Sequence, residues 1–349
     1  MTHKIAVIPG DGIGVDVIAS ARSVLDAVTA RHGIELSYTE FDWSCQRYDR
    51  EGAMMPADGL DTLRGFDAIL LGAVGWPGVP DHVSLWGLLI PIRREFRQYV
   101  NLRPIRVFDG VSSPLRDAAD VDIVVVRENV EGEYSEIGGR MNRGFPDEMA
   151  VQESVFTRVG VSRIADYAFE LARTRRGYVT SATKSNGIVH TLPFWDEVVA
   201  DRAANYPDVR FDSEHIDALA AKFVLQPQRF DVVVGSNLFG DILSDLAAAV
   251  AGSIGIAPSA NLDPTKQYPS MFEPVHGSAP DIAGKGIANP IGAVWTAALM
   301  LDHLGHGAAA ADVIAAMAPT LAKPETRTAD LGGSASTDEV TKALVGLLS

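Results

Sequence analysis

The sequence predicts an α/β fold, and three observations lead there. Apolar runs of strand length alternate with helical patterns through most of the chain. Those runs are continuous, with no polar residue at every second position, as expected for strands covered by helices on both faces. The length, 349 residues, is ample for a large core and suggests two domains of ordinary size.

The first strand is KIAVIP, followed by Gly-Asp-Gly and a helix over Asp16–His32, for which Gly33 offers a C-cap. A strand, a glycine loop and a helix suggest a dinucleotide phosphate site. The spacing, however, is G-x-G-x-G (Gly10, Gly12, Gly14) and not G-x-G-x-x-G, so a tight turn without ligand is an equally good reading. FDAILLGA and VDIVVVRE supply the next strands. Residues 133–158 then break the rhythm: they are glycine-containing, β-rich and without a helical pattern, as in an arm that pairs with another subunit. A helix over Val159–Arg173, strands YVTSAT and FDVVVGS, and helices over Asp241–Val250 and Ala293–His303 complete the pattern. With no linker in sight, the chain is expected to cross between its domains more than once.

Composition narrows the function. The apolar fraction is 47% and the charged fraction 21%, values of a globular and not a disordered chain. The net charge of −15 argues against a broad nucleic-acid-binding surface, though not against local basic pockets. A single cysteine, Cys45, excludes an internal disulfide and a Cys-rich zinc site, and fits a reducing cytoplasm. The N-terminus lacks the apolar core of a signal peptide, and the longest apolar runs fall short of the ~20 residues of a membrane span.

Several segments carry residue types suited to chemistry. In NLFGDILSDL, Asp241 and Asp245 are four apart and so share a helix face. Paired carboxylates suit Mg²⁺ or Mn²⁺, although acids near a helix start also complement its dipole. Arginines cluster on and after a short helix in IRREFRQYVNLRPIR and another ends the strand VVVRE, so Arg93, Arg103 and Arg127 are candidates to clamp carboxylates. Tyr134 and Lys184 each follow a buried strand, the end of an α/β sheet where ligands sit. Burial or neighbouring cations can bring a lysine into the range of a useful base. The loop EPVHGSAPDIAGKGIANP can offer backbone N–H groups to a nucleotide. A carboxylate at Asp281 would accept hydrogen bonds from ribose hydroxyls and repel a 2′-phosphate, which favours NAD over NADP.

Together IPGDGIG, IRREFRQYVNLRP, RENVEGEYS, TKSN, SNLFGDILSD and EPVHGSAPDIAGKGIANP resemble, in order and over nearly the whole chain, the isocitrate/isopropylmalate dehydrogenase family. Within it, HVSLWGLLIPIRREFRQYVN is most similar to the tartrate dehydrogenase and decarboxylating D-malate dehydrogenase group. The resemblance implies an isopropylmalate dehydrogenase-like, non-Rossmann, two-domain α/β fold with its active site in the interdomain cleft. Residues 1–98 and 254–349 would form one domain and 99–253 the other, with the arm at about 133–158 helping to clasp a homodimer.

The resemblance also implies roles. Arg93, Arg103 and Arg127 would hold the substrate carboxylates. Asp241 and Asp245 would bind the metal together with Asp217 of a second subunit, which would also send Lys184 as base. The metal would acidify the C2 hydroxyl, hydride would pass to NAD, and Tyr134 would help protonate the enolate left by CO₂. Asn186 would contact the nicotinamide side and Ile13 the cofactor. His276, Gly277, Ser278, Ala279, Asp281, Ile282 and Asn289 would line the adenosine side. K⁺ is implied for the tartrate/D-malate group, with no site evident in the sequence.

Substrate choice in the family depends on the helix leading to the first arginine. Isocitrate enzymes carry Ser and Asn where this chain has Gly87 and Leu89, which argues against isocitrate. Isopropylmalate enzymes carry Glu where this chain has Trp86. A pocket filled by Trp86, Leu89 and Ile90 favours a small acid, D-malate or tartrate, with 3-isopropylmalate or another 3-substituted malate next. Some family members are non-catalytic regulatory subunits; this chain retains Tyr134, Lys184 and all three aspartates, which argues against that alternative.

Overall fold

In the computed structural model, residues 2–115, 118 and 121–349 are described. Among these described residues ten strands form one sheet: β1 (Thr2–Gly10), β2 (Glu35–Glu40), β3 (Ala68–Ala73), β4 (Val100–Arg106), β5 (Asp122–Glu128), β8 (Tyr178–Thr183), β9 (Arg210–His215), β10 (Val232–Gly235), β11 (Ala260–Leu262) and β12 (Ser270–Phe272). The spatial order is β2-β1-β3-β12-β11-β4-β5-β10-β8-β9. Strands β6 (Gly138–Met141) and β7 (Met149–Gln152) form a separate antiparallel hairpin, exposed along its length.

The order of strands explains the continuous apolar runs. Pairings at both ends of the sheet are parallel, and helices cover the faces, so β3, β8 and β10 are buried at every position. The middle is different: β12–β11, β11–β4 and β4–β5 are antiparallel. One half of the sheet is made by β1–β3, β11 and β12, and the other by β4, β5 and β8–β10. The two halves meet where β11 lies beside β4.

The Gly-Asp-Gly loop after β1 is a structural joint. Buried Asp11 accepts hydrogen bonds from the backbone N–H groups of Cys45 and Gly75, both at 3.1 Å to Oδ2, so one carboxylate ties three segments. Burial, followed by Asp11, pushes the Cys45 thiol up to about 12, so it stays protonated and inert. Gly12 has φ 58°, and a Cβ there would fall 2.0 Å from the Ser278 carbonyl oxygen. Ile13 N donates to that same oxygen at 2.8 Å. The loop therefore packs backbone to backbone against the distant His276–Asn289 segment, which only glycine permits. The following helix spans Ile13–His32 and ends on Gly33 in the left-handed conformation.

Candidate active site

The site is built where the N-terminal half of β4 lies beside the C-terminal ends of β5 and β10, at one end of the sheet. The helix Asn237–Val250 follows β10 directly and is capped by Ser236, whose hydroxyl accepts from Phe239 N. Glu133 strengthens that cap, taking hydrogen bonds from Ser236 Oγ at 2.7 Å and Leu238 N at 3.1 Å. The helix begins a full turn before Asp241, earlier than the sequence pattern suggests. Asp241 therefore lies beyond the first turn, where the helix dipole has little effect, and that explanation of the aspartate pair loses its ground.

Two buried arginines face these aspartates. Arg127, on β5, donates through Nε and Nη2 to Asn237 Oδ1 at 3.1 and 2.6 Å, and through Nη1 to Asp241. Gly240 makes this approach possible, since a Cβ there would sit 2.6 Å from Arg127 Cβ. Arg103, on β4, places Nη1 3.3 Å from both Asp241 and Asp245 and donates to Ser244 Oγ at 2.6 Å. Burial, then the neighbouring Arg103 charge, lowers the Arg127 guanidinium to about 10. Burial pushes the Asp241 carboxyl up, but Arg127 and Arg103 outweigh it and hold it low. Asp245 is less compensated: burial and the Asp241 charge leave its carboxyl raised despite Arg103.

Arg93 enters from the other half of the fold, on the helix Ile90–Glu95. Its Nη2 donates to Glu273 Oε1 at 2.6 Å. A buried relay runs from there: Asn261 Nδ2 donates to the same oxygen at 2.7 Å, Asn101 Nδ2 to Asn261 Oδ1 at 2.8 Å, and Arg103 Nε to Asn101 Oδ1 at 2.7 Å. Hydrogen-bonded amides thus fix the spacing of two cationic side chains across the join between the sheet halves. Asn101, Asn261 and Glu273 are absent from the sequence reading. A lone Asn carries no signal, although Asn101 sits two residues before Arg103 in NLRP.

Tyr134 Oη donates to Asp241 Oδ2 at 3.1 Å, and burial together with Asp241 raises its phenol above the ordinary value. A cavity of about 450 Å³ opens beside it, lined by Leu85, Trp86, Ile90 and Arg93 on one side and Glu133, Tyr134, Ser135, Gln152 and Leu238 on the other. Leu89 is not in this lining and must be corrected: it is only 8% exposed and packs in the core. Residues Leu85–Leu89 form a wider π-type turn, with Ile90 N bonded to Leu85 O. The extra residue rotates Leu89 inward, while Ile90 lines the cavity as expected and Leu85 joins it.

Lys184 follows β8, and Asp217 opens the helix Ile216–Leu225. They pair with each other at 2.8 Å, and Lys184 holds the Asp217 carboxyl below its usual range. Neither bonds to the Arg–Asp cluster. Among the described residues no three or more His, Cys, Asp or Glu side chains are arranged to hold a metal. One chain thus provides two adjacent hard oxygen donors, Asp241 and Asp245, a donor set suited to a divalent cation but short of a complete shell.

A second cavity, about 390 Å³, lies beside the Gly-Asp-Gly loop and is lined by Ile13, His276, Gly277, Ala279, Ile282 and Asn289 among others. The His276 Nδ1 lies 3.0 Å from Gly277 O, while buried Nε2 has no partner among the described residues. Burial lowers the His276 pKa, so its ring is neutral and Nε2 is an open acceptor. Ser278 contributes its backbone to the joint with Ile13, and Asp281 is exposed on the same loop. Asp330, which the sequence reading missed, also lines this cavity and bonds Asn289 Nδ2 at 3.0 Å. Asn186 is exposed in the turn after Lys184 and does not line the cavity.

This fold, with arginines and acids at the junction of two sheet halves, defines a class. Residues 4–344 match the family described as isocitrate/isopropylmalate dehydrogenase. The chain is 55% identical over 347 residues to a probable tartrate dehydrogenase/decarboxylase of Bacillus subtilis, covering 99% of this chain and 98% of the relative. It is likewise 55% identical over 357 residues to the decarboxylating D-malate dehydrogenase of Escherichia coli, covering 99% of each. Among solved structures, isocitrate dehydrogenase from Methylococcus capsulatus superposes with a TM-score of 0.90 at 35% identity, covering 99% of each chain. The chain belongs to the isocitrate/isopropylmalate dehydrogenase family. More particularly, it is an enzyme, a decarboxylating dehydrogenase. No helix among the described residues is long and apolar enough to cross a membrane.

Proposed function

We propose that this enzyme uses NAD and Mg²⁺ or Mn²⁺ to convert D-malate to pyruvate and CO₂, accepts tartrate as well, and works as a homodimer with shared active sites. The observation that carries the substrate reading is Trp86 on the wall of the cavity that Arg93 and Tyr134 also line. Its bulk restricts the C3 substituent, while the arginines suit a dicarboxylate. The apolar side of the cavity (Leu85, Ile90, Leu238) favours 3-isopropylmalate as the competing substrate.

Asp241 and Asp245, with the partner's Asp217, would hold the divalent cation, which when bound supplies electrophilic polarisation of the hydroxy acid. The rest follows from side chains. Arg93, Arg103 and Arg127 bind and orient the carboxylates, their own spacing fixed by the Asn101–Asn261 relay. The partner's Lys184 would take the C2 hydroxyl proton, and NAD, when bound, would supply the hydride acceptor that the oxidation of C2 requires. The resulting β-keto acid loses CO₂, and Tyr134, kept protonated by burial and Asp241, delivers a proton to C3. The open acceptor of His276 suits an exocyclic amino group such as that of adenine, and Asp281 suits ribose hydroxyls.

Two features support a second copy. The hairpin β6–β7 exposes Met141, Phe145 (67%) and Met149, and the helices beside Lys184 and Asp241 expose Leu225 (74%) and Ile242. The Lys184–Asp217 pair also makes no bond to the cluster it would serve.

The test is NADH formation from D-malate, L-tartrate and 3-isopropylmalate with Mn²⁺, repeated with EDTA. Turnover of the first two, abolished by EDTA, is expected. Robust turnover of 3-isopropylmalate alone would overturn the small-acid reading.

A further inference from the structure

The helix Ile90–Glu95 presents two adjacent arginines in different directions. Arg93 lines the cavity. Arg94 does not, yet it touches two residues that do. Its guanidinium lies 4.9 Å from the centroid of the Trp86 ring, Nη2 donates to the Tyr134 carbonyl at 2.8 Å, and Nη1 pairs with Glu136 at 2.6 Å. Trp86 needs such a partner. It stands on the wide π-type turn, 36% exposed, and is absent from the core that holds Leu88 and Leu89.

We infer that Arg94 is the positioning residue that sets substrate size selectivity: it stacks on Trp86 to fix the cavity wall and ties that wall to the Tyr134 main chain across the cleft. This inference rests on the reading of Trp86 given above. A planar guanidinium can stack with one face while its edge N–H groups bond a carbonyl and a carboxylate. A lysine ammonium cannot do all three at once. Selection among malates by the bulk at C3 then depends on a residue that never meets the substrate.

The experiment compares the wild type with Arg94→Ala, Arg94→Lys and Glu136→Gln, measuring kcat and KM for D-malate and 3-isopropylmalate. In parallel it records the emission of Trp86, one of five tryptophans, isolated as the difference from Trp86→Phe. Arg94→Ala is expected to lower the kcat/KM ratio of D-malate to 3-isopropylmalate about tenfold, on the scale of a pocket differing by a methylene. The change appears chiefly in KM, and Trp86 emission moves to longer wavelength. Arg94→Lys falls between, and Glu136→Gln, which loses only an exposed pair, stays within about twofold. An unchanged ratio or an unshifted Trp86 emission in Arg94→Ala overturns the inference. Failure of the wild type on both acids would instead sink the substrate reading, while the emission shift still decides whether Arg94 holds Trp86.

Discussion

Lys184 Nζ lies 2.8 Å from Asp217, and neither residue is bonded to the Asp241–Asp245 face that both would need to serve. Lys184 is 30% and Asp217 68% exposed, so water screens the pair and it adds little to folding. Lys184→Ala should therefore unfold within about 0.5 kcal/mol of the wild type, as judged by urea titration. Turnover should fall by roughly 10²–10⁴-fold, the scale of a lost general base. Wild-type rates in this variant would remove Lys184 from the mechanism.

Trp86 narrows the cavity from one side. Trp86→Leu is expected to raise kcat/KM for 3-isopropylmalate relative to D-malate by about 10–200-fold, the range that one or two methylenes command. Steady-state kinetics on both acids checks this. An unchanged ratio would mean that another wall sets the size limit.

The loop around Asp281 is expected to choose the nicotinamide cofactor. Asp281→Asn removes the charge that disfavours a 2′-phosphate and weakens two charge-assisted hydrogen bonds. KM for NAD should rise about tenfold or more, with KM for NADP falling. Equal shifts for both cofactors would indicate a general loss of loop structure instead.

Glu128 gives a pH prediction distinct from catalysis. It is fully buried on β5, takes hydrogen bonds from Val130 N at 2.9 Å and Glu131 N at 2.6 Å, and burial raises its carboxyl to about 7. Since the folded value exceeds the unfolded one, the native state holds an extra proton between about pH 4.5 and 7. The associated stability is complete below that window and is lost as pH rises through it. Glu128→Gln should flatten the decline by up to about 1.4 kcal/mol per pH unit in the window. Urea unfolding at pH 5 and pH 8 reads the difference, and parallel profiles would contradict it.

What the sequence revealed depended on how local each signal was. The buried strands β3, β8 and β10 announced themselves as apolar runs because both faces are covered. Edge strands β2 and β9 did not, since ELSYTE and RFDSEH face water along one side and alternate with charge. Strand β4 was hidden by Arg103 and Pro104. Pro104 is tolerated because β11 pairs only as far as Leu102, leaving no partner on that side for the missing N–H. Ordered motifs located Arg93, Arg103, Arg127, Tyr134, Asp241 and Asp245. The inward turn of Leu89 was invisible because the π-type turn changes the helical period. The Glu273–Asn261–Asn101 relay was equally so, because it joins residues 160 positions apart through side chains that individually signal nothing.

The central claim is that one chain supplies the arginines and two aspartates while its partner supplies Lys184 and Asp217. The direct measurement mixes Lys184→Ala with Asp241→Ala, each inactive alone, after reversible dissociation and reassociation. Random pairing makes half of the dimers mixed, and each mixed dimer has one intact site, so activity should return to about a quarter of the wild type. No recovery, with mixed dimers demonstrated by mass spectrometry, would contradict the shared site.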